Sequence, residues 1–380
     1  MLEANNQNNF SDKALKIRNH HHQSLIQTEE IEFIVQMAQT YPSGDNCQPL
    51  EFFWDGHSLK VELIEKRGQH AFNNNYHTDT ISMGAALKAI EIAAGAISLT
   101  ALAEFKKIKK PSLTISFKRR ERPLKPLLNT LQKRATDRRI YQAEQKNTQV
   151  PQILKLIANK YPLINFYWLE QLDTELKKYL TEVEGYMWEH KDFFADFAQW
   201  LRLSRNELNR TNDGMSLESI GLSRKEAPIF WLFKKFPALV PLFWNLGLKF
   251  QVRKMAHSQW LSSSGFYLLT VKNNTPQANF EIGQCGMDLW LQLTQLNYGV
   301  QPLTLAALSI YDMEMGYANP NINEKFKSIY QKGAHTLRNS FNVIAEEVPC
   351  WLFRTGPSPN FPDKMRCPRK PMSEVLKIIK

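Results

Sequence analysis

The densest group of chemically competent side chains lies in one stretch, Pro42-Ser43-Gly44-Asp45-Asn46-Cys47-Gln48-Pro49. Ser43 and Asn46 carry hydrogen-bonding groups on short arms. Gln48 carries an acceptor and two donors on a longer one, and the prolines restrict φ at both ends. A loop of this make-up can surround a polar ligand, although an ordinary polar turn has the same composition. Charge for an anionic ligand is present elsewhere. Arg134, Arg138 and Arg139 flank Thr136 in RATDRR, and Arg366 and Arg369 stand near the C-terminus. Guanidinium forks match phosphate oxygens in pairs.

Other candidates do not assemble into chemistry. His20-His21-His22 sits in a polar stretch and is not read as a metal site. Cys47 reads as a small filler beside the loop, with a redox role as the alternative. Ser262-Ser263-Ser264-Gly265 lacks the context of a nucleophile elbow, and no His and Asp spacing around it suggests a triad. Asn209 to Gly214 reads as turn chemistry. No catalytic side chain is assigned, and no metal is expected.

Composition narrows the classes. Apolar residues make up 43% of the 380 positions and charged residues 22%, which is globular rather than disordered. Four cysteines without a C-x-x-C pair exclude a disulfide framework or zinc ribbon and fit a reducing compartment. The first residues lack the apolar core of a secretory signal, so a cytoplasmic location is expected. The most apolar stretch, Phe236 to Leu248, holds two prolines and falls short of the ~20 residues of a spanning helix. The net charge of +11 favours anionic partners: nucleic acid, anionic lipid or a phosphorylated cofactor. No helix-turn-helix, zinc-finger or aromatic-basic RNA-binding pattern accompanies the basic clusters at 106–139 and 364–370, so nucleic acid is not the expected partner.

The elements that must position these residues follow from periodicity. Residues 1–25 read as a flexible leader. Ile31, Ile34, Val35 and Ala38 predict a helix over Gln27–Thr40. Leu50–Trp54 and Leu59–Ile64 predict a hairpin around Asp55-Gly56. A long helix is predicted over about Thr80–Lys107, then a strand at Leu113–Phe117. Leu289–Tyr311 reads as a buried helix, a turn and a strand. The second half echoes the first: QILKLIANKYP before Ile164–Glu170 resembles IEFIVQMAQTYP before Leu50–Trp54, and a helix at Gly286 resembles the one at Gly84, about 200 residues earlier. Between the two echoes an insertion of roughly 80 residues, about 171–264, is rich in aromatics such as Trp188, Phe193, Phe197, Phe233 and Phe243. These are either packing core or a lid over a flat apolar ligand.

A resemblance joins these fragments. PSGDNCQP, closing a helix and opening a strand, resembles the P-S-x-x-N-x-Q-P-W signature of the nitroreductase superfamily, with Leu50 in place of the aromatic. Arg134-Ala135-Thr136-Asp137-Arg138 resembles the family's Arg-x-Ser-x-Arg/Lys stretch. Leu289–Gly299 resembles its helix with a Gly-Leu-Gly-like end, and Arg366 and Arg369 before Pro371 resemble its C-terminal basic pair. The order departs from single-lobed members, because the loop precedes Arg134 and the second copy has only Tyr161-Pro162-Leu163. It is similar to the duplicated branch, in which two copies fuse.

That resemblance implies an α+β nitroreductase-like fold in which two fused copies, 26–125 and 126–380, form an internal pseudo-dimer with a helical lid. It implies FMN, and the lack of a G-x-G-x-x-G motif agrees that no Rossmann dinucleotide site is present. Ser43, Asn46 and Gln48 would belong to the flavin loop, with Asn46 on the ring's polar edge. Arg134 with Arg366 or Arg369 would hold the phosphate, Thr136 the phosphate or ribityl chain, and Arg138 the ribityl or pyrimidine edge. The implied function is an FMN-dependent oxidoreductase passing a hydride from NAD(P)H to a nitroaromatic, quinone or similar acceptor. A flavin-sequestering protein with little turnover is the alternative, and a basic nucleic-acid or membrane-surface protein a third. One chain would suffice for the flavin site, with a dimer through another surface still open.

Overall fold

Apolar spacing builds the first elements as expected. In a computed structural model, which describes residues 10–20, 25–70, 72–124, 127–317 and 323–379, Ile31, Ile34, Val35 and Ala38 are all buried on one helix. The helices used below are α1 (Phe10–His20), α2 (Thr28–Ala38), α3 (His77–Ala96), α4 (Val150–Ala158), α5 (Thr174–Glu189), α6 (Lys249–Leu261), α7 (Pro276–Gln295), α8 (Thr304–Glu314) and α9 (Glu324–Phe341). The strands are β1 (Leu50–Trp54), β2 (Ser58–Leu63), β3 (Leu99–Lys107), β4 (Pro111–Arg119), β5 (Ile164–Leu169), β6 (Leu201–Arg202), β7 (Met215–Ser216), β8 (Gly265–Val271), β9 (Tyr298–Pro302), β10 (Val348–Pro357) and β11 (Leu376–Ile378).

Helices and mostly antiparallel sheets form two lobes. The first sheet runs β11-β1-β2-β4-β3, with only the β11–β1 pair parallel, and the second runs β5-β8-β10-β9, antiparallel throughout. Each lobe contributes a helix, two strands, a long helix and two strands in the same order. The long helices α3 and α7 begin 199 residues apart, at His77 and Pro276, and both have 20 residues.

These two helices touch through their backbones. A Cβ on Gly84 would lie 1.9 Å from the carbonyl oxygen of Phe280, and one on Gly283 would lie 1.9 Å from that of Ile81. Glycine is therefore required on both sides for this approach. The first lobe's core takes in Phe280, Met287 and Leu291 from α7, and the second takes in Ile81 from α3. Beside the crossing, the His77 ring stacks on Tyr311 at 3.6 Å, with Nδ1 4.0 Å from Asp312 Oδ1. Asn74 Nδ2 donates to Asp312 Oδ2 at 2.7 Å. Burial pushes the Asp312 carboxyl up to about 7 and the His77 imidazole down to about 3.

Several expectations need correction. The long helix ends at Ala96 and residues 99–107 are strand β3, because Ser98 takes a left-handed φ of 61° and breaks the helix without a glycine or proline. By the 199-residue offset of the two helices Gly84 corresponds to Gly283 rather than to Gly286, which lies against the Trp351 ring. Phe10–His20 is a helix with Ala14 and Ile17 buried and Phe10 against Phe33, whereas a flexible leader was expected; His21 and His22 lie outside the described residues. The boundary at 125/126 also lies outside them. A linear split does not match the sheets, since β11 from the C-terminus joins the first lobe. After β9 the chain forms α8 rather than more strand.

Two measurements check the lobe contact. In an isolated helix Gly→Ala stabilises by ~1 kcal/mol. Gly283→Ala is instead expected to destabilise by about 2–3 kcal/mol through overpacking. Gly95→Ala, whose Cβ meets only the movable Leu124 side chain, is expected to stay near neutral. Equal melting temperatures for the two variants would dismiss the close approach. Asp312 titrates higher in the native state than unfolded, so its contribution to stability falls as pH rises from ~4 to about 7 and stays low above. Asp312→Asn, which keeps an acceptor for Asn74, is expected to raise Tm more at pH ~8 than at pH ~5. A pH-independent difference would mean that burial does not hold this carboxyl neutral.

Candidate functional site

The loop after α2 is shaped by three non-glycine residues in the left-handed region: Asp45 (φ 49°), Asn46 (φ 56°) and Gln48 (φ 51°). Such backbone persists only when its surroundings hold it. Ser43 Oγ accepts from Gln48 N at 3.0 Å, and the Tyr41 hydroxyl accepts from Leu50 N at 3.1 Å. Asn46 Nδ2 donates to Gly214 O (2.9 Å) and Pro368 O (3.1 Å). Gln48 Nε2 donates to Asn212 O (3.0 Å) and Pro368 O (3.3 Å), while its Oε1 accepts from Lys370 N (2.9 Å). The loop thus ties together the segments 212–214 and 368–370.

Arginines gather against this loop. Arg134 is 7% exposed; its Nε and Nη2 donate to Thr40 O at 3.0 and 2.7 Å, and its guanidinium lies 4.6 Å from the Trp290 ring centre. Burial, then the neighbouring Arg369, lowers Arg134 to about 9, so it stays charged at neutral pH. Arg369 Nη1 donates to Asn46 Oδ1 at 2.7 Å. Arg366 donates to the carbonyls of Gln132 and Lys133 and pairs with the exposed Asp363. Among the described residues, no carboxylate pairs with Arg134 or Arg369. Thr136 bridges to Val300 at the free edge of β9, and Arg138 Nη1 donates to Ser219 O at 2.9 Å. Buried Arg354 steadies this stretch from below: its Nη2 donates to Arg139 O at 2.9 Å, and Tyr141 covers its guanidinium.

Seven of the eight residues singled out from sequence line one cavity of about 520 Å³: Ser43, Asn46, Arg134, Thr136, Arg138, Arg366 and Arg369. Gln48 does not; its amide is engaged by protein on both sides. Asn46 lines the cavity with its amide likewise engaged, so both act on the site by holding its walls. A second cavity of about 820 Å³ shares Pro42, Ser43, Asp45, Thr136 and Arg138 with the first. Its remaining walls are largely aromatic and aliphatic, including Trp188, Phe193, Phe197, Phe233, Trp290 and Trp351. The aromatics of 171–264 therefore divide: Trp188, Phe193, Phe197, Phe233 and Phe243 line the cavity, Phe194, Trp200 and Trp244 are buried in core, and Trp231 and Phe236 are exposed.

Sequence reasoning missed the titratable groups of the larger cavity. Burial pushes Asp45 up to about 6 against the opposing pull of Arg138, and pushes His70 down to about 4. Glu184, on the same wall, is raised by burial too. Only Asp45 stood in a motif already noticed. Asp213, read as turn chemistry, accepts from both Arg67 (2.7 Å) and Arg202 (2.6 Å) and anchors the segment 212–214 that the loop binds. Cys47 is buried and lines neither cavity; burial pushes its thiol up, as suits a filler. No cluster of metal-ligating side chains occurs among the described residues.

No family model and no curated protein matches this chain. Among solved structures it is similar to the FMN-dependent nitroreductase NfnB from Mycobacterium smegmatis in complex with NADPH. Identity is 11%, coverage is 66% of this chain and 97% of that one, and the TM-score is 0.35.

The ties of Gln48 give a direct check. Gln48→Ala removes three hydrogen bonds from a residue with positive φ and is expected to destabilise by about 2–3 kcal/mol. Limited proteolysis should then cut sooner within 362–372. An unchanged melting temperature and cleavage pattern would mean that the amide is not what fastens the C-terminal segment.

Proposed function

We propose that this chain is an FMN-dependent oxidoreductase of nitroreductase type, built from two fused copies of one unit. The observation that supports the cofactor is the continuity of an arginine-lined cavity with an aromatic one through Ser43, Thr136 and Arg138. FMN joins a phosphate of nearly two negative charges, a polyol and a flat ring, and the two cavities offer those surroundings in that order. Arg134 is buried beside Arg369 and neither pairs with a carboxylate among the described residues, and a buried cation so placed is incomplete without an anion. Arg134, Arg366 and Arg369 would hold the phosphate, Ser43 and Thr136 the polyol, and Arg138 the polar edge of the ring. Trp290 fixes the Arg134 plane, and Asn46 fixes Arg369.

When bound, FMN supplies hydride transfer between NAD(P)H and an acceptor such as a nitroaromatic or quinone. The protein's part is to orient, to exclude water and to tune charge. Segment 171–264 would act as the lid, since its aromatics wall the larger cavity. Asp45, raised to about 6 at the seam of the cavities, can hold or release a proton near neutral pH. The fused-copy reading is supported by the shared strand order and the 199-residue offset of α3 and α7. A site formed across that crossing lies within one chain, so a monomer would suffice.

Reconstitution with FMN, desalting and an absorbance scan test the proposal, with retained flavin expected. Arg134→Ala should weaken FMN by about one to two decades while leaving riboflavin nearly unchanged. Equal loss for both ligands would remove Arg134 from the phosphate, and repeated failure to retain FMN would end the reading. Flavin retained but not reduced by NADH or NADPH would favour the sequestering alternative.

A further inference from the structure

Between Ala227 and Leu261 the chain carries Lys234, Lys235, Lys249, Arg253 and Lys254 and not one Asp or Glu. The segment runs through a helix at Ala227–Lys235, a short one at Val240–Phe243, a widened turn at Trp244–Leu248 and α6. Its inner side buries Phe230, Phe233, Val240, Trp244 and Val252. Its outer side presents Trp231 (54% exposed), Phe236 (48%), Leu242 (52%), Leu246 (74%) and Phe250 (67%). Large apolar side chains are scattered singly on ordinary surfaces; five exposed within twenty successive positions are a concentration that calls for a partner.

The chemistry of that partner follows from what stands beside the apolar groups. Lys235 Nζ lies 5.1 Å from the Trp231 ring centre and 5.5 Å from that of Phe236, and Lys249 Nζ lies 5.5 Å from that of Phe250. Protein interface cores are depleted in lysine, whereas in-plane membrane anchors combine lysine with tryptophan, phenylalanine and leucine. Nucleic acid would use the cations but leave Leu242 and Leu246 without a contact. We propose that this surface docks on the headgroup region of an anionic lipid bilayer. The contact is in-plane, because helices of 9 and 13 residues cannot span a bilayer.

The same segment also walls the larger cavity through Leu246, Gly247, Leu248 and Met255. Leu246 and Met255 are exposed as well, so one layer of side chains separates cavity from surface there. Docking puts that thin wall against lipid, where a membrane-dissolved apolar acceptor reaches it without crossing water. This route rests on the oxidoreductase reading; the docking does not.

Full-length protein is floated with vesicles of phosphatidylcholine alone and of phosphatidylcholine mixed with phosphatidylglycerol. Binding is expected only to the mixture, weakening as salt rises from about 0.1 M to about 0.5 M. The combined change Lys235→Gln, Lys249→Gln, Arg253→Gln and Lys254→Gln should lower partitioning by more than about a hundredfold, at roughly fivefold per cation. The combined change Trp231→Ser, Phe236→Ser, Leu242→Ser and Phe250→Ser should abolish it with every charge retained. Circular dichroism and melting temperature, expected to be unchanged, show that both variants fold. Absence of binding to anionic vesicles at low salt would overturn the proposal, as would full binding by the serine variant. A dimer by light scattering that the serine variant dissolves, without vesicle binding, would assign the patch to a second copy and overturn it too. The vesicle assay uses no flavin, so its failure leaves FMN retention standing, and failure to retain FMN leaves the docking standing.

Discussion

Two glycines, Gly84 and Gly283, let a helix of one lobe lie with its backbone against a helix of the other. Much else in the structure depends on that contact. With a Cβ 1.9 Å from the opposing carbonyl on either side, no other residue permits the approach unshifted. Because the approach is made, each lobe's core is finished by its neighbour's helix, as Phe280 stacking on Phe105 at 4.3 Å illustrates. Trp290, two turns beyond Gly283, then stands under Arg134, and the carbonyl of Thr40 from the first lobe faces the same guanidinium. The arginine cavity therefore takes groups from both sides of this contact.

The cations around that cavity are held in a particular way. Arg134, Arg138 and Arg369 donate to carbonyl or amide oxygens, which orient a guanidinium without neutralising it. Nearby the chain uses the opposite device: Asp213 takes both Arg67 and Arg202 and closes that cluster. Of the carboxylates near the loop, Asp213 is placed behind it, while Asp45 lines the cavity, is raised by burial and forms no ion pair with these arginines among the described residues. Uncompensated buried charge weakens folding, and a site that bears it gains attraction for an anion in return. Local rules broken at one place and satisfied around it are the usual mark of function.

The sequence made this arrangement partly legible. PSGDNCQP and RATDRR were visible by residue type, and they do meet around one cavity. What Asn46 and Gln48 do was not visible, because their partners lie 164 to 322 residues away in segments with no local signal. Helix ends show the same limit. After α7 the left-handed residue is Asn297, a residue type that announces a helix terminus, and the expected helix, turn and strand are found as far as Pro302, beyond which α8 replaces strand. After α3 the corresponding residue is Ser98, and LTALAEFKK beyond it is rich in helix formers. Propensity extended the helix, while pairing with β4 made it a strand. The C-terminal strand β11 was missed because three residues carry no periodicity.

Symmetry in the scaffold and asymmetry in its connections then explain where the cavities fall. In the first lobe a short turn at Asp55 joins β1 to β2, and another joins β3 to β4. In the second lobe the corresponding strand pairs are joined by residues 170–264 and 303–347, which pack on each other through Leu176, Ile310 and Phe326. Lengthening a connection between paired strands costs little, because loop-closure entropy grows only slowly with length and the ladder is untouched. Helices built there wall one side of the crossing and leave the sheets as they were. The loop shows the converse economy. Where the first lobe runs from Tyr41-Pro42 through seven more residues to Leu50, the second runs from Tyr161-Pro162 through Leu163 directly into β5. Ser43 and Asn46 have no counterpart there, so the walls from the second lobe close over the loop of the first, and the basic and aromatic cavities become continuous on that side of the crossing.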